Sequence, residues 1–117
     1  MIEVYGIPNC NTVKKALDWL KEHSLPYRFH DYKKEGITKE KLEIWCQHFG
    51  WETLVNKAGT TWKKLPDEVK STIVNQPSAM QLMVDQNSVI KRPVIEAGEK
   101  LLIRFNEEEY KILLPKK

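Results

Sequence analysis

Residues 2–32, IEVYGIPNCNTVKKALDWLKEHSLPYRFHDY, change their hydrophobic period twice, and those changes decide the fold. Ile2 to Tyr5 is a short β-prone run stopped by Gly6 and Pro8, so it reads as a strand. From Val13 the period is that of a helix. Val13, Ala16, Leu17 and Leu20 fall on one face, while Lys14, Lys15, Asp18 and Lys21 point elsewhere. Ser24 to Pro26 ends the helix. Tyr27 to Tyr32 then alternates rings with polar groups as a half-buried strand does, and Lys33 to Gly36 closes it. Strand, helix and strand in this order form a β-α-β unit, whose crossover implies parallel, right-handed pairing.

Downstream the pattern is helical. Thr38 is placed as an N-cap, and Leu42, Trp45, Cys46 and Phe49 keep helical spacing up to Gly50. Trp51 to Val55 continues as further helical turns, and Asn56 to Thr61 reads as a glycine-containing loop. Pro66 opens a helix carrying Val69 and Ile73, and Pro77 with Ser78 starts another that turns Ala79, Leu82 and Met83 inward. Beyond Asn87 the chain is β-like again. Val89 to Ile95 and Lys100 to Arg104 are joined by EAGE, a hairpin turn with Gly98 available for positive φ. Asn106 caps a last helix with acids in its first turn, as the helix dipole prefers. The order β-α-β, helical insertion, β-β-α predicts an α/β, thioredoxin-like fold. It has a mixed four-stranded sheet, one domain over 1–117 and an insertion at about 37–86.

Composition narrows the function. A chain of 117 residues, 41% hydrophobic and with four tryptophans, suits a single domain with a real core. Its net charge of +3 is the balance of 19 basic and 16 acidic residues spread along the whole length, far from a nucleic-acid-binding stripe. No nucleic-acid partner is expected, while a small anionic ligand remains compatible. Neither a signal-peptide core nor a membrane-length apolar run is present, so a soluble, cytoplasmic protein is expected, and a monomer is expected. The two cysteines, Cys10 and Cys46, make neither a disulfide framework nor a metal-binding spacing, so both read as reduced thiols and no metal is expected.

Two readings of Cys10 stand open on this evidence. A free cysteine at a strand–helix junction can be a small buried hydrophobe. At a helix N-terminus it also faces unpaired N–H groups and the positive end of the dipole, which stabilise the nucleophilic thiolate. Asn9, Asn11 and Thr12 add polar groups around it, and Lys14 adds charge nearby. Cys46, spaced with Leu42, Trp45 and Phe49, reads as core. Cys10 has no second sulfur on its own turn, because Val13 stands where a Cys-x-x-Cys pair would place one. A single thiol of this kind forms a mixed disulfide or other adduct that an outside thiol must resolve.

Four blocks carry a resemblance across nearly the whole chain: YGIPNCNTVKKALDWL, LVNKAGTTWKKL, IKRPVIEAGEKLLIRF and FNEEEY. They resemble the ArsC/Spx family of thioredoxin relatives, which includes glutaredoxin-linked arsenate reductases and Spx transcriptional regulators, and most of all its YffB-like branch. The resemblance implies the thioredoxin-like fold and a catalytic Cys10. It implies a substrate site that includes Pro93, at the position of the cis-proline facing the cysteine in such folds. Of the three arginines around the reductase cysteine, two map onto Arg92 and Arg104. Asn56 stands at the third position, and Gly6 replaces the reductase histidine. Arg92 and Arg104 read alone are ordinary solvated charges. On adjacent strands, about equally far from the EAGE turn, they are expected to approach each other and act jointly on the thiolate.

Together these features predict a monothiol oxidoreductase, with glutathione as cosubstrate or a glutaredoxin-type thiol donor as partner. The substrate would be a small anion or a mixed disulfide. The alternatives are a glutaredoxin-linked arsenate reductase and an Spx-like regulator binding RNA polymerase.

Overall fold

The computed structural model of the chain describes residues 1–114. Its chain divides into two compact units, Met1–Tyr32 with the segment from Arg92 onward, and Lys33–Lys91.

The first unit is a four-stranded sheet in the order β2-β1-β3-β4, formed by β1 (Ile2–Gly6), β2 (Tyr27–Asp31), β3 (Val94–Ala97) and β4 (Lys100–Ile103). β1 and β2 run parallel with Ile2 opposite Tyr27, while β3 is antiparallel to both β1 and β4. This is the mixed sheet of the thioredoxin-like arrangement. Along β1, Ile2, Val4 and Gly6 are buried and Glu3 and Tyr5 half-buried, the alternation of a sheet with one face on a core.

That core joins Ile2, Val4, Ile95 and Leu102 of the sheet to Ala16, Trp19 and Leu20 of helix α1 (Asn11–Glu22) and to Tyr110 of the last helix. Trp19 broadens the apolar face beyond the four residues read from the period, and Leu17 packs partly buried at its edge. The Trp19 ring stands edge-on to Tyr110 at 5.4 Å, so the first and last helices meet through aromatic rings. α1 ends with Ser24 at φ 55, while the Ser24 and Leu25 N–H groups donate to the Lys21 and Leu20 carbonyls. This is the paired C-terminal cap of a helix, with a serine in the left-handed position that glycine usually takes.

Two boundaries differ from the sequence reading in this unit. Tyr32 leaves the strand, and Tyr32–Glu35 forms one helical turn, α2, where a closing turn over Lys33 to Gly36 is expected. Of Val89 to Ile95, only the part after Pro93 is strand. Proline brings no N–H to a ladder, so regular pairing begins past it. The hairpin turn itself falls on Gly98 and Glu99, between the paired Ala97 and Lys100, with Gly98 at φ 65.

In the second unit, helices α3 (Lys39–Phe49), α4 (Trp51–Leu54) and α7 (Gln76–Asp85) pack on one another. Thr38 caps α3 by accepting the Lys41 N–H. Asn75 and Ser78 cap α7 reciprocally, a box that the Pro77 signal had masked. Between them, α5 (Thr60–Lys63) begins inside the expected loop, and α6 (Asp67–Lys70) stops before Ile73. Val89 belongs to a 3-10 turn, and Ile90 makes a single antiparallel bridge to Val55. α8 (Glu107–Leu113), in the first unit, is capped by Asn106 as predicted. Among the described residues no helix is long and apolar enough to cross a membrane.

Candidate thiol site

Ile7, Pro8 and Asn9 turn the chain from β1 into α1, and the Cys10 N–H closes that turn on the Ile7 carbonyl at 3.2 Å. Pro8 supplies the fixed φ that the second position of such a turn favours. Cys10 is the N-cap of α1, with extended backbone at φ −94 and ψ 127, and its carbonyl accepts the Lys14 N–H. An N-cap side chain faces the N–H groups of the first helical turn. Its side chain makes no capping hydrogen bond. Burial alone would raise its pKa, but the Val13 and Thr12 N–H groups and the Arg92 guanidinium together outweigh burial and hold the Cys10 thiol below its ordinary value.

Arg92 reaches this position from the opposite end of the sequence. β3 lies beside β1 with Val94 opposite Tyr5, so the residues just before Val94 come to the end of β1 that leads into Cys10. The Arg92–Pro93 peptide bond is cis, and Pro93 is buried. Tyr32, from the end of β2, is wholly buried and interacts electrostatically with Arg92 and Tyr5. Burial pushes the Tyr32 phenol far up, so it stays neutral.

The sequence reading missed Tyr32 as a site residue. A signal for it exists: β1 and β2 are parallel, so residues just past their C-terminal ends gather at one edge of the sheet. Gly6, read only as a departure from the reductase pattern, is a second residue of the site, since it lies beside both Val13 and Arg92.

The remaining expected residues have different surroundings. Asn9, Asn11 and Lys14 are exposed around the start of α1, and Thr12 is half-buried. Arg104 does not stand level with Arg92. Its N–H donates to the Pro93 carbonyl at 2.7 Å, its side chain is exposed, and its φ is 62. Of the two arginines, Arg92 is the one whose charge helps to lower the Cys10 pKa, and the matched placement expected for Arg104 is offset by one residue. Asn56 belongs to the helical unit, where its N–H donates to the Val89 carbonyl at 2.8 Å. Cys46 is buried in α3, and burial with the nearby Glu43 and Glu52 carboxylates raises its pKa.

A model of the ArsC family matches residues 5–113. An uncharacterized protein of Haemophilus influenzae is 44% identical over 110 residues, 94% of this chain and 96% of that protein. The solved structure of a YffB protein superposes with a TM-score of 0.94 at 44% identity, covering 98% of this chain and all of that one. An arsenate reductase (ArsC) related protein from Brucella melitensis is 46% identical with a TM-score of 0.74, covering 96% of this chain and 92% of that one.

Proposed function

The chain belongs to the ArsC family, and from that premise we propose that it is a monothiol reductase with the Cys10 thiolate as nucleophile and glutathione as cosubstrate. The observation that carries this reading is the setting of Cys10 as the N-cap of α1, where the Val13 and Thr12 N–H groups and the Arg92 guanidinium hold its thiol below the ordinary value. Such a setting favours the thiolate both as attacking group and, later, as leaving group.

For a mixed disulfide of glutathione with a substrate thiol, the Cys10 thiolate attacks the glutathione sulfur. The substrate leaves as a thiolate and takes a proton from solvent. A glutathione thiolate then attacks the Cys10-bound sulfur, which frees Cys10 and releases glutathione disulfide. The substrate disulfide is thereby reduced and glutathione oxidised. Arg92 holds the Cys10 charge through both steps. Arg104 and Lys14, both exposed, add positive charge for the glutathione carboxylates, with Asn9, Asn11 and Thr12 as polar neighbours of the entering chain.

Reduction of arsenate is the weaker reading, because an oxyanion gains from several fixed cationic forks and Asn56 replaces one of the expected three. An Spx-like switch is disfavoured because Val13 removes the second thiol of the turn. The test is turnover of a glutathione mixed disulfide with glutathione as the only reductant, followed by coupled reduction of the glutathione disulfide formed. The expected result is turnover that disappears in Cys10→Ser. Arsenate reduction without disulfide turnover would overturn it in favour of the oxyanion reading. Capture of RNA polymerase with no thiol chemistry at Cys10 would overturn it in favour of the regulator.

A further inference from the structure

Gly6 is the last residue of β1, and it lies beside two of the residues acting on Cys10, Val13 and Arg92. A Cβ placed on Gly6 would stand 2.9 Å from Cγ2 of Val13 and 3.7 Å from Cβ of Arg92. Carbon atoms in contact prefer about 3.5–4.0 Å, so even a methyl group here requires Val13 to move. Val13 has little freedom to do so. It is fully buried, its branched side chain has few rotamers, and it is rooted in the first turn of α1. The displacement would pass to the backbone of that turn, which carries the Thr12 and Val13 N–H groups. On the other side, the stem of Arg92 is in van der Waals reach of the same empty position.

We propose that Gly6 is a positioning residue: its missing side chain lets the first turn of α1 and the stem of Arg92 close on β1 together, so that the Val13 N–H and the guanidinium converge on the Cys10 sulfur. This deepens the reading of Cys10 as nucleophile and rests on it. A glycine retained only for packing would affect stability and leave the sulfur alone. A positioning glycine also sets the charge state of a side chain four residues away.

The experiment is the pH dependence of Cys10 alkylation by iodoacetamide in the full chain, with thermal melting as the control for folding. In Gly6→Ala, the rate at neutral pH is expected to fall by roughly threefold or more as the titration moves up toward the ordinary thiol value of about 8.5. The double variant Gly6→Ala/Val13→Ala removes the clashing methyl while keeping the N–H, and is expected to recover the wild-type profile. A Gly6→Ala protein that melts lower but titrates like wild type would overturn the proposal. If Gly6→Ala alone does not fold, the double variant carries the test, and a folded double variant with a raised titration would overturn it. A wild-type thiol titrating near 8.5 would instead sink the nucleophile reading itself. A low wild-type value with an unmoved Gly6→Ala profile removes only the role of Gly6.

Discussion

The Arg104 N–H donates to the carbonyl of Pro93 at 2.7 Å, so across the hairpin Arg104 faces the proline and stands one residue out of step with Arg92. The two arginines therefore differ in their surroundings, with Arg92 half-buried and acting on the thiol and Arg104 exposed.

Loss of the Arg92 side chain removes the guanidinium whose charge favours the Cys10 thiolate. Arg92→Ala is therefore expected to lower thiol-transfer rates at neutral pH by roughly threefold to tenfold, because the thiolate fraction falls while each thiolate becomes somewhat more nucleophilic. The alkylation profile of Cys10 should move to higher pH in the same variant. Arg92→Lys keeps the charge but loses the planar fork, and should fall between the two. Equal alkylation profiles in wild type and Arg92→Ala would refute the assignment.

The two cysteines should respond oppositely to the same reagent. Cys10 is lowered by its amides and by Arg92, whereas burial and two carboxylates raise Cys46. Brief iodoacetamide treatment at neutral pH, read by peptide mass spectrometry, should modify Cys10 alone in the folded protein and both residues in denaturant. Cys46→Ser, which buries a hydroxyl in the helical unit, should cost about 1–3 kcal/mol of stability and leave turnover by Cys10 intact.

Arg104 holds a left-handed backbone at φ 62, with its N–H on Pro93 and its carbonyl accepting the Tyr110 hydroxyl. Side chains with a Cβ pay about 1 kcal/mol for this conformation and glycine does not. Arg104→Gly should therefore be more stable than Arg104→Ala by about 1 kcal/mol in denaturant titrations, although both lose the same charge. Tyr110→Phe, which leaves that carbonyl without its donor, should cost about 1–2 kcal/mol.

On the sheet, Glu3 accepts from His30 at 2.6 Å and pairs with Arg28 at 3.3 Å. The His30 hydrogen bond outweighs burial and, with the Arg28 charge, holds the Glu3 carboxyl below the usual carboxylate range. A carboxyl lowered on folding contributes stability above its unfolded value of about 4.3, and that contribution is lost as pH falls through the folded value. Glu3→Gln should thus be less stable than wild type at pH 7, with the difference between their denaturation midpoints closing in acid. A difference that widened in acid would contradict the pairing.

Much of this was readable because it is local. The period switch at Val13, the Thr38 and Asn106 caps and the glycine of the hairpin turn are each written in a few neighbouring residues, and the structure places them as expected. Val89 and Ile90 misled for the opposite reason. Their β-prone character is used up by a 3-10 turn and one bridge to Val55, a partner more than thirty residues away in sequence. At the site, Cys10 and Arg92 were legible from residue type and resemblance. The offset of Arg104, the approach of Tyr32 to Arg92 and the contact of Gly6 with Val13 arise from strand register and packing between distant segments, which no local period encodes.

Val13 also sets a limit on what the protein can store. Wholly buried on the first turn of α1, it denies Cys10 the neighbouring sulfur that would make an internal two-electron couple. On the proposed chemistry the Cys10 adduct forms and decays only by exchange with dissolved thiols. The fraction of protein carrying the adduct then follows the reduced-to-oxidised ratio of the surrounding thiol pool. Such a protein has no internal disulfide couple: the equilibrium between the Cys10 mixed disulfide and the free thiol, set against the surrounding pool, is the one redox state it can report.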